Sequence, residues 1–180
     1  MSLMKRNHPL QLMRRFFAGL TESAFYGRLG IADPPLVEYL SELLVRFVRS
    51  DAIFGVRDPR GGRLVDVADM LAAAEARQGA ACRTVHRHIG DFTLFWTGVY
   101  PEMIARMRRT GRKDGLLDFR AQGKRAYHIA STIPVERTDQ PSALLERLSC
   151  EFELCAYGLS EVRRQWELRE GGDTPAMLIR

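Results

Sequence analysis

Arg83-Thr84-Val85-His86-Arg87-His88-Ile89-Gly90-Asp91-Phe92-Thr93-Leu94-Phe95-Trp96-Thr97-Gly98-Val99-Tyr100-Pro101-Glu102 is the stretch whose reading decides the fold. Apolar side chains recur at Cys82, Val85, Ile89, Phe92, Trp96, Val99 and Met103. Steps of three and four place them in one stripe of an α-helix. The opposite side turns apolar in its second half, at Leu94, Phe95 and Gly98, after a polar first half with Arg87, His88 and Asp91. A helix apolar nearly all round is enclosed by other helices, so 83–100 is predicted as a buried central helix. Its polar start is either a partly buried polar site or the end that reaches solvent.

Outward from this helix the same period recurs. Leu10, Met13, Phe16, Phe17 and Leu20 make one face of a short helix that breaks near Thr21–Ser23. Asp33 and Pro34 are a capping residue and a first-turn proline, opening a helix to about Arg49 striped by Leu36, Leu40, Leu43, Leu44, Phe47 and Val48. Glu42 and Arg46 are expected to pair on its outer face. Gly55, Asp58-Pro59, Gly61 and Gly62 predict a surface loop over 50–63, with Ala52-Ile53-Phe54 as its anchor. Asp66 is read as the cap of a helix that stops at Gly79. Pro101 kinks the central helix or starts a new one, with Glu102 in its first turn facing Arg106. A helix over 116–131 is weakened by Gly123. The last helix, 142–168, carries Leu145, Leu148, Phe152, Cys155, Leu159, Val162 and Trp166 and is expected to lie along the central one. The predicted fold is all-α: a single compact bundle of about six to seven helices over residues 1–180, with 171–180 as a tail that is mobile or docks by Met177, Leu178 and Ile179.

At 180 residues, one domain can bury roughly 70% of the surface of its unfolded chain. A net charge of +5 admits anionic partners without demanding them. Cys82, Cys150 and Cys155 are odd in number and without repeated spacing, which points to reduced thiols and a cytoplasmic location. Cys150 and Cys155 on one helix would stand about 140° apart, unsuited to a bond. No run of about 18 apolar residues suggests a membrane span. The basic start, with Lys5, Arg6, Arg14 and Arg15, resembles a targeting helix in composition, but Arg14 and Arg15 interrupt the apolar run that a secretory signal needs.

Three groups could carry chemistry. His88 and Asp91 share a helical face and with His128 could form a metal site or an acid–base pair. His86 points about 160° from His88 and cannot join it. The structural alternative pairs Asp91 with Arg87 and leaves His88 bordering the core, and it is the favoured reading. Trp96 and Tyr127, among Phe92, Phe95, Tyr100, Phe152, Tyr157 and Trp166, could line a ligand pocket, to which Arg83 and Arg87 would add an anion clamp. Plain core is the simpler reading of those aromatics. Arg106, Arg108, Arg109, Arg112 and Lys113 form a basic run that could hold phosphates of a nucleic acid, or only a solvated helix end.

The sequence lacks the phosphate-loop, dinucleotide, nucleophile-elbow and zinc-protease signatures. It also lacks the Glu-x-x-His pairs of helical di-iron sites. No cofactor and no metal is assigned. The leading expectation is therefore a non-enzymatic binding or protein-interaction module that self-associates, symmetric dimers being the commonest assemblies. Its partner is another protein or a small molecule. A small helical enzyme or metal-binding protein using His88, Asp91 and His128 is the first alternative, and a nucleic-acid binder the second.

Overall fold

The computed structural model describes residues 7–49, 55–57, 60–136 and 140–169. Among these the chain is all-α, with eight α-helices where six to seven were expected: α1 (Asn7–Glu22), α2 (Pro34–Val48), α3 (Val67–Glu75), α4 (Gly79–Val99), α5 (Pro101–Arg109), α6 (Phe119–Thr132), α7 (Ser142–Cys150) and α8 (Phe152–Arg169). A π-helical turn (Ser23–Leu29) extends α1, and a 3-10 turn (Lys113–Leu116) precedes α6. The buried apolar residues form one cluster that takes side chains from every helix but α5.

The central helix α4 packs chiefly against α6, α8 and α3. Val85, Ile89, Phe92 and Val99 of its predicted stripe are buried, and so are Leu94, Phe95 and Gly98 opposite. Gly98 is where α8 comes closest: a Cβ there would stand 2.8 Å from Leu159 Cβ and 2.9 Å from the Ala156 carbonyl oxygen. Gly123, expected to weaken its helix, is instead required by packing, because a Cβ would overlap the Phe152 ring and Thr93 Oγ1.

Several boundaries depart from the sequence reading. The helix after Asp66 ends at Glu75, and Gly79, left-handed at φ 55°, opens α4 rather than closing α3. The chain does not break at Thr21–Ser23 but widens into the π turn, whose Phe25 ring fills the space beside Gly158 of α8. The expected helix at 142–168 turns at Glu151 (φ −103°, ψ 25°). This lets α7 lie on α6 while α8 runs along α4, so Cys150 and Cys155 are on different helices. The helix predicted at 116–131 starts three residues later: Leu116 ends the 3-10 turn, and α6 begins at Phe119, where Asp118 Oδ1 accepts from the Arg120 and Ala121 amides at 3.0 and 3.2 Å. Asp33 caps α2 as expected, accepting from Leu36 N at 3.3 Å with Pro34 in the first turn.

Asp66 makes no side-chain cap. The free amides of Val67 and Ala68 are met instead by Asp114, which accepts from them at 2.7 and 3.1 Å and so ties the start of α3 to the turn before α6. Both expected i,i+4 pairs are replaced by bonds between helices. Glu42 pairs with Arg14 of α1, and Glu102 takes two bonds at 2.7 and 2.9 Å from Arg163 of α8. Around 50–63 the chain is irregular where described, with Arg57 and Arg63 in an isolated bridge and Val56 buried. Ala52-Ile53-Phe54 and the tail 171–180 lie outside the described residues.

Candidate functional site

The polar first half of α4 faces α2. Asp91 is nearly inaccessible and Oδ1 accepts from two phenols, Tyr39 of α2 at 2.5 Å and Tyr127 of α6 at 2.8 Å. Arg46 Nη2 stands 3.2 Å from Oδ2 in an ion pair, and its guanidinium lies 5.5 Å from the centre of the Tyr39 ring. Both hydroxyls are held far above the ordinary phenol pKa, first by burial and then by the neighbouring carboxylate, so they stay protonated donors. Gly90 makes the approach of Tyr127 possible, since a Cβ there would sit 2.7 Å from the ring. The hub ties α2, α4 and α6 together.

This arrangement replaces the expected pairing of Asp91 with Arg87. Arg46 was not singled out in the sequence, where it reads as the outer partner of Glu42. The usable signal was its register: Tyr39, Leu43 and Arg46 follow steps of four and three and share a face.

Beside the hub a cleft of about 400 Å³ opens between α2, the loop at 55–57 and the first half of α4. Among the described residues its cations are Arg46, Arg57, Arg77, Arg87 and, when protonated, His88, and its one carboxylate is Asp91. Phe47, Val56, Ala81 and Val85 supply the apolar walls. Some of the donors are spent on the protein. Arg57 Nη1 donates to the Gly61 carbonyl at 3.0 Å, Arg77 donates to the Ala73 and Arg57 carbonyls at 3.2 and 2.8 Å, and Arg87 Nη1 donates to Gln140 Oε1. Arg46 Nε, Arg87 Nε and His88 Nε2 are buried and have no hydrogen-bond partner among the described residues. His88 stacks on Phe47, ring centres 5.9 Å apart, and its pKa lies below the ordinary value because it is buried and faces Arg87 and Arg46; the Asp91 carboxylate opposes that shift. It is therefore neutral at pH 7.

No family model, curated protein or solved structure matches this chain. The function has to be read from the site.

His88 and Asp91 come together as their spacing implied, but His128 does not join them. It sits on the exposed side of α6, where Nδ1 lies 3.0 Å from Glu146 Oε2 of α7. Among the described residues no three His, Cys, Asp or Glu side chains are grouped as metal ligands. His86 neighbours Arg125 of α6 and lies away from the cleft, consistent with its opposite position on the helix. Asp91 Oδ1 is engaged by the two phenols and Oδ2 by the Arg46 guanidinium.

The pair Arg83 and Arg87 divides. Arg83 is buried and donates to the carbonyls of Ala130, Ile133 and Gln140 at 2.7, 2.9 and 2.7 Å and to Ser142 Oγ at 3.1 Å. It closes the end of α6 and holds the connection to α7, leaving Arg87 alone at the cleft. Trp96 stacks edge-on with Phe92 and Phe95, and Tyr127 serves Asp91; neither lines this cleft. Tyr157, expected among the packed aromatics, is exposed. Arg106, Arg108, Arg109 and Arg112 are all exposed, and Lys113 pairs with Asp69 at 3.1 Å.

Proposed function

We propose that this chain is a non-enzymatic binding protein whose ligand is a small organic anion, a carboxylate or phosphate carried on an apolar body. The observation behind this reading is the imbalance in the cleft: among the described residues four arginines line it against one carboxylate that is already engaged. Charge-assisted hydrogen bonds from guanidinium to carboxylate or phosphate are about twice as strong as neutral ones, and Arg46, Arg87 and His88 retain donor or acceptor capacity that no group among the described residues uses. Phe47, Val56 and Val85 suit the ligand's apolar part. The volume lies within the roughly 300–1,000 Å³ range of small-molecule sites.

Thermal denaturation with phenyl phosphate, benzoate, inorganic phosphate and benzylamine tests the proposal. Phenyl phosphate at about 100 times its Kd should stabilise the chain by ~2.7 kcal/mol. Benzylamine should have no effect, and Arg87→Ala should abolish the response to the anions. Equal stabilisation by benzylamine, or an unchanged response in Arg87→Ala, would sink it.

A further inference from the structure

A second and larger concavity, about 850 Å³, runs between α5, the 3-10 turn and the start of α6, away from the arginine cleft. Thr97, Ile104 and Phe119 line it from three helices, and Leu116 stands at its edge. Leu116 is 97% exposed, on a chain whose other leucines are mostly enclosed. Thr97 Oγ1 is buried there without a hydrogen-bond partner among the described residues. Arg108, Arg109 and Arg120 complete the lining. No carboxylate lies within 4 Å of these three among the described residues; the nearby acids are engaged elsewhere, Asp118 on the amides of α6, Glu102 on Arg163 and Glu153, which Arg120 feels at longer range, on Lys124.

We propose that this groove docks an acidic amphipathic helix of a protein partner, its apolar side chains seated on Leu116 and Ile104 and its Glu or Asp residues facing Arg108, Arg109 and Arg120. Charge complementarity sets the sign of the partner, because Arg108, Arg109 and Arg120 make no close ion pair among the described residues, Arg120 feeling Glu153 only at longer range, and together they repel a basic segment and attract an acidic one. The apolar part sets its pattern. A helix offers aliphatic anchors at i, i+3, i+4 and i+7 with charges beside them, and it needs no free backbone from its receptor. The described residues contain no strand to which an extended peptide could add. A nucleic acid would use the arginines but leave Leu116 and Ile104 unused, and Phe119, 2% exposed, offers no face on which a base could stack.

Fluorescence anisotropy of the full chain with three labelled probes tests this. The first is a synthetic helical peptide with Leu at i, i+3, i+4 and i+7 flanked by Glu; the second is a scrambled peptide of the same composition; the third is a duplex DNA oligonucleotide. The patterned peptide should bind at least tenfold more tightly than the scrambled one. Leu116→Ser and Arg108→Glu/Arg109→Glu, which alter only exposed side chains, should each weaken it at least tenfold while circular dichroism stays unchanged. Equal binding of the scrambled peptide, an unaffected Leu116→Ser variant or no peptide binding would each overturn the proposal. DNA binding that exceeds peptide binding would assign the face to nucleic acid instead.

Discussion

Replacing Asp91 by alanine removes the one acceptor shared by three buried or half-buried donors, and the structure sets the size of the loss. Tyr39 OH and Tyr127 OH would remain in a region closed to water, each having lost a hydrogen bond to an ionised acceptor that is worth about 1.5–3 kcal/mol. Arg46 would lose its ion pair, but with 32% of its side chain exposed it can turn toward solvent, so its share is the smallest. Breaking a buried pair by removing one member typically costs about 3–5 kcal/mol, and that range is the expectation here. For a chain of this length it corresponds to a fall of roughly 6–20 °C in Tm, at about 2–4 °C per kcal/mol. Urea unfolding of Asp91→Ala, Tyr127→Phe and the double variant measures it. Tyr127→Phe alone should cost only about 1–2 kcal/mol, because Asp91 keeps Tyr39 and Arg46. The double variant should cost clearly less than the sum of the two, since the same bond is lost in both. A loss below about 1 kcal/mol for Asp91→Ala, or strict additivity, would refute the view that this hub holds α2, α4 and α6 together.

Other perturbations have equally definite outcomes. Gly98→Val should destabilise by about 1–3 kcal/mol through overpacking, because its Cβ meets the Ala156 backbone, which cannot rotate away; a neutral result in urea unfolding would mean that α4 and α8 separate freely. Asp114→Ala should cost about 1–2 kcal/mol by uncapping α3, whereas Asp66→Ala should cost little in the same assay; the reverse order would contradict the cap assignment. With a thiol reagent, Cys150, which is exposed, should react first, and Cys155, buried with its thiol pushed up to about 12, should react only on unfolding; early labelling of Cys155 by peptide mapping would count against the packing of α8. His88 and His86 both have folded pKa values below 6.5, so the unfolded chain binds more protons as the pH falls from 6.5 toward those values. Stability should therefore be full above 6.5 and decline below it, and His88→Gln should reduce the slope of the urea midpoint against pH; a midpoint that rises on acidification would reverse the assignment.

Much of the architecture was legible because burial along a helix leaves a period. The steps of three and four through Val85, Ile89, Phe92 and Val99, and through Leu145 to Trp166, marked the segments that pack at the centre. Asp33-Pro34 marked a helix start because its cap uses residues adjacent in sequence. The turn at Glu151 left no mark: the apolar spacing continues across it, and no glycine or proline stands there. The candidate site was half legible. His88 and Asp91 were placed together by a spacing internal to α4, while Arg46, Arg57 and Arg77 reach the cleft from other elements.

Charged residues account for most of the misreadings, for a physical reason. Glu42 with Arg46, Glu102 with Arg106 and Asp91 with Arg87 all have spacings at which a helix permits a pair, yet such a pair gains only about 0.2–0.5 kcal/mol. Long flexible side chains abandon so small a gain when another helix offers a better partner, as Arg163 does for Glu102 and the two tyrosines do for Asp91. Apolar periodicity survives folding because every arrangement must bury the same stripe. The sequence by itself therefore determined which segments are helices and which faces turn inward, and tertiary structure alone decided which charges meet, which arginine closes α6 and which ones remain to line the cleft.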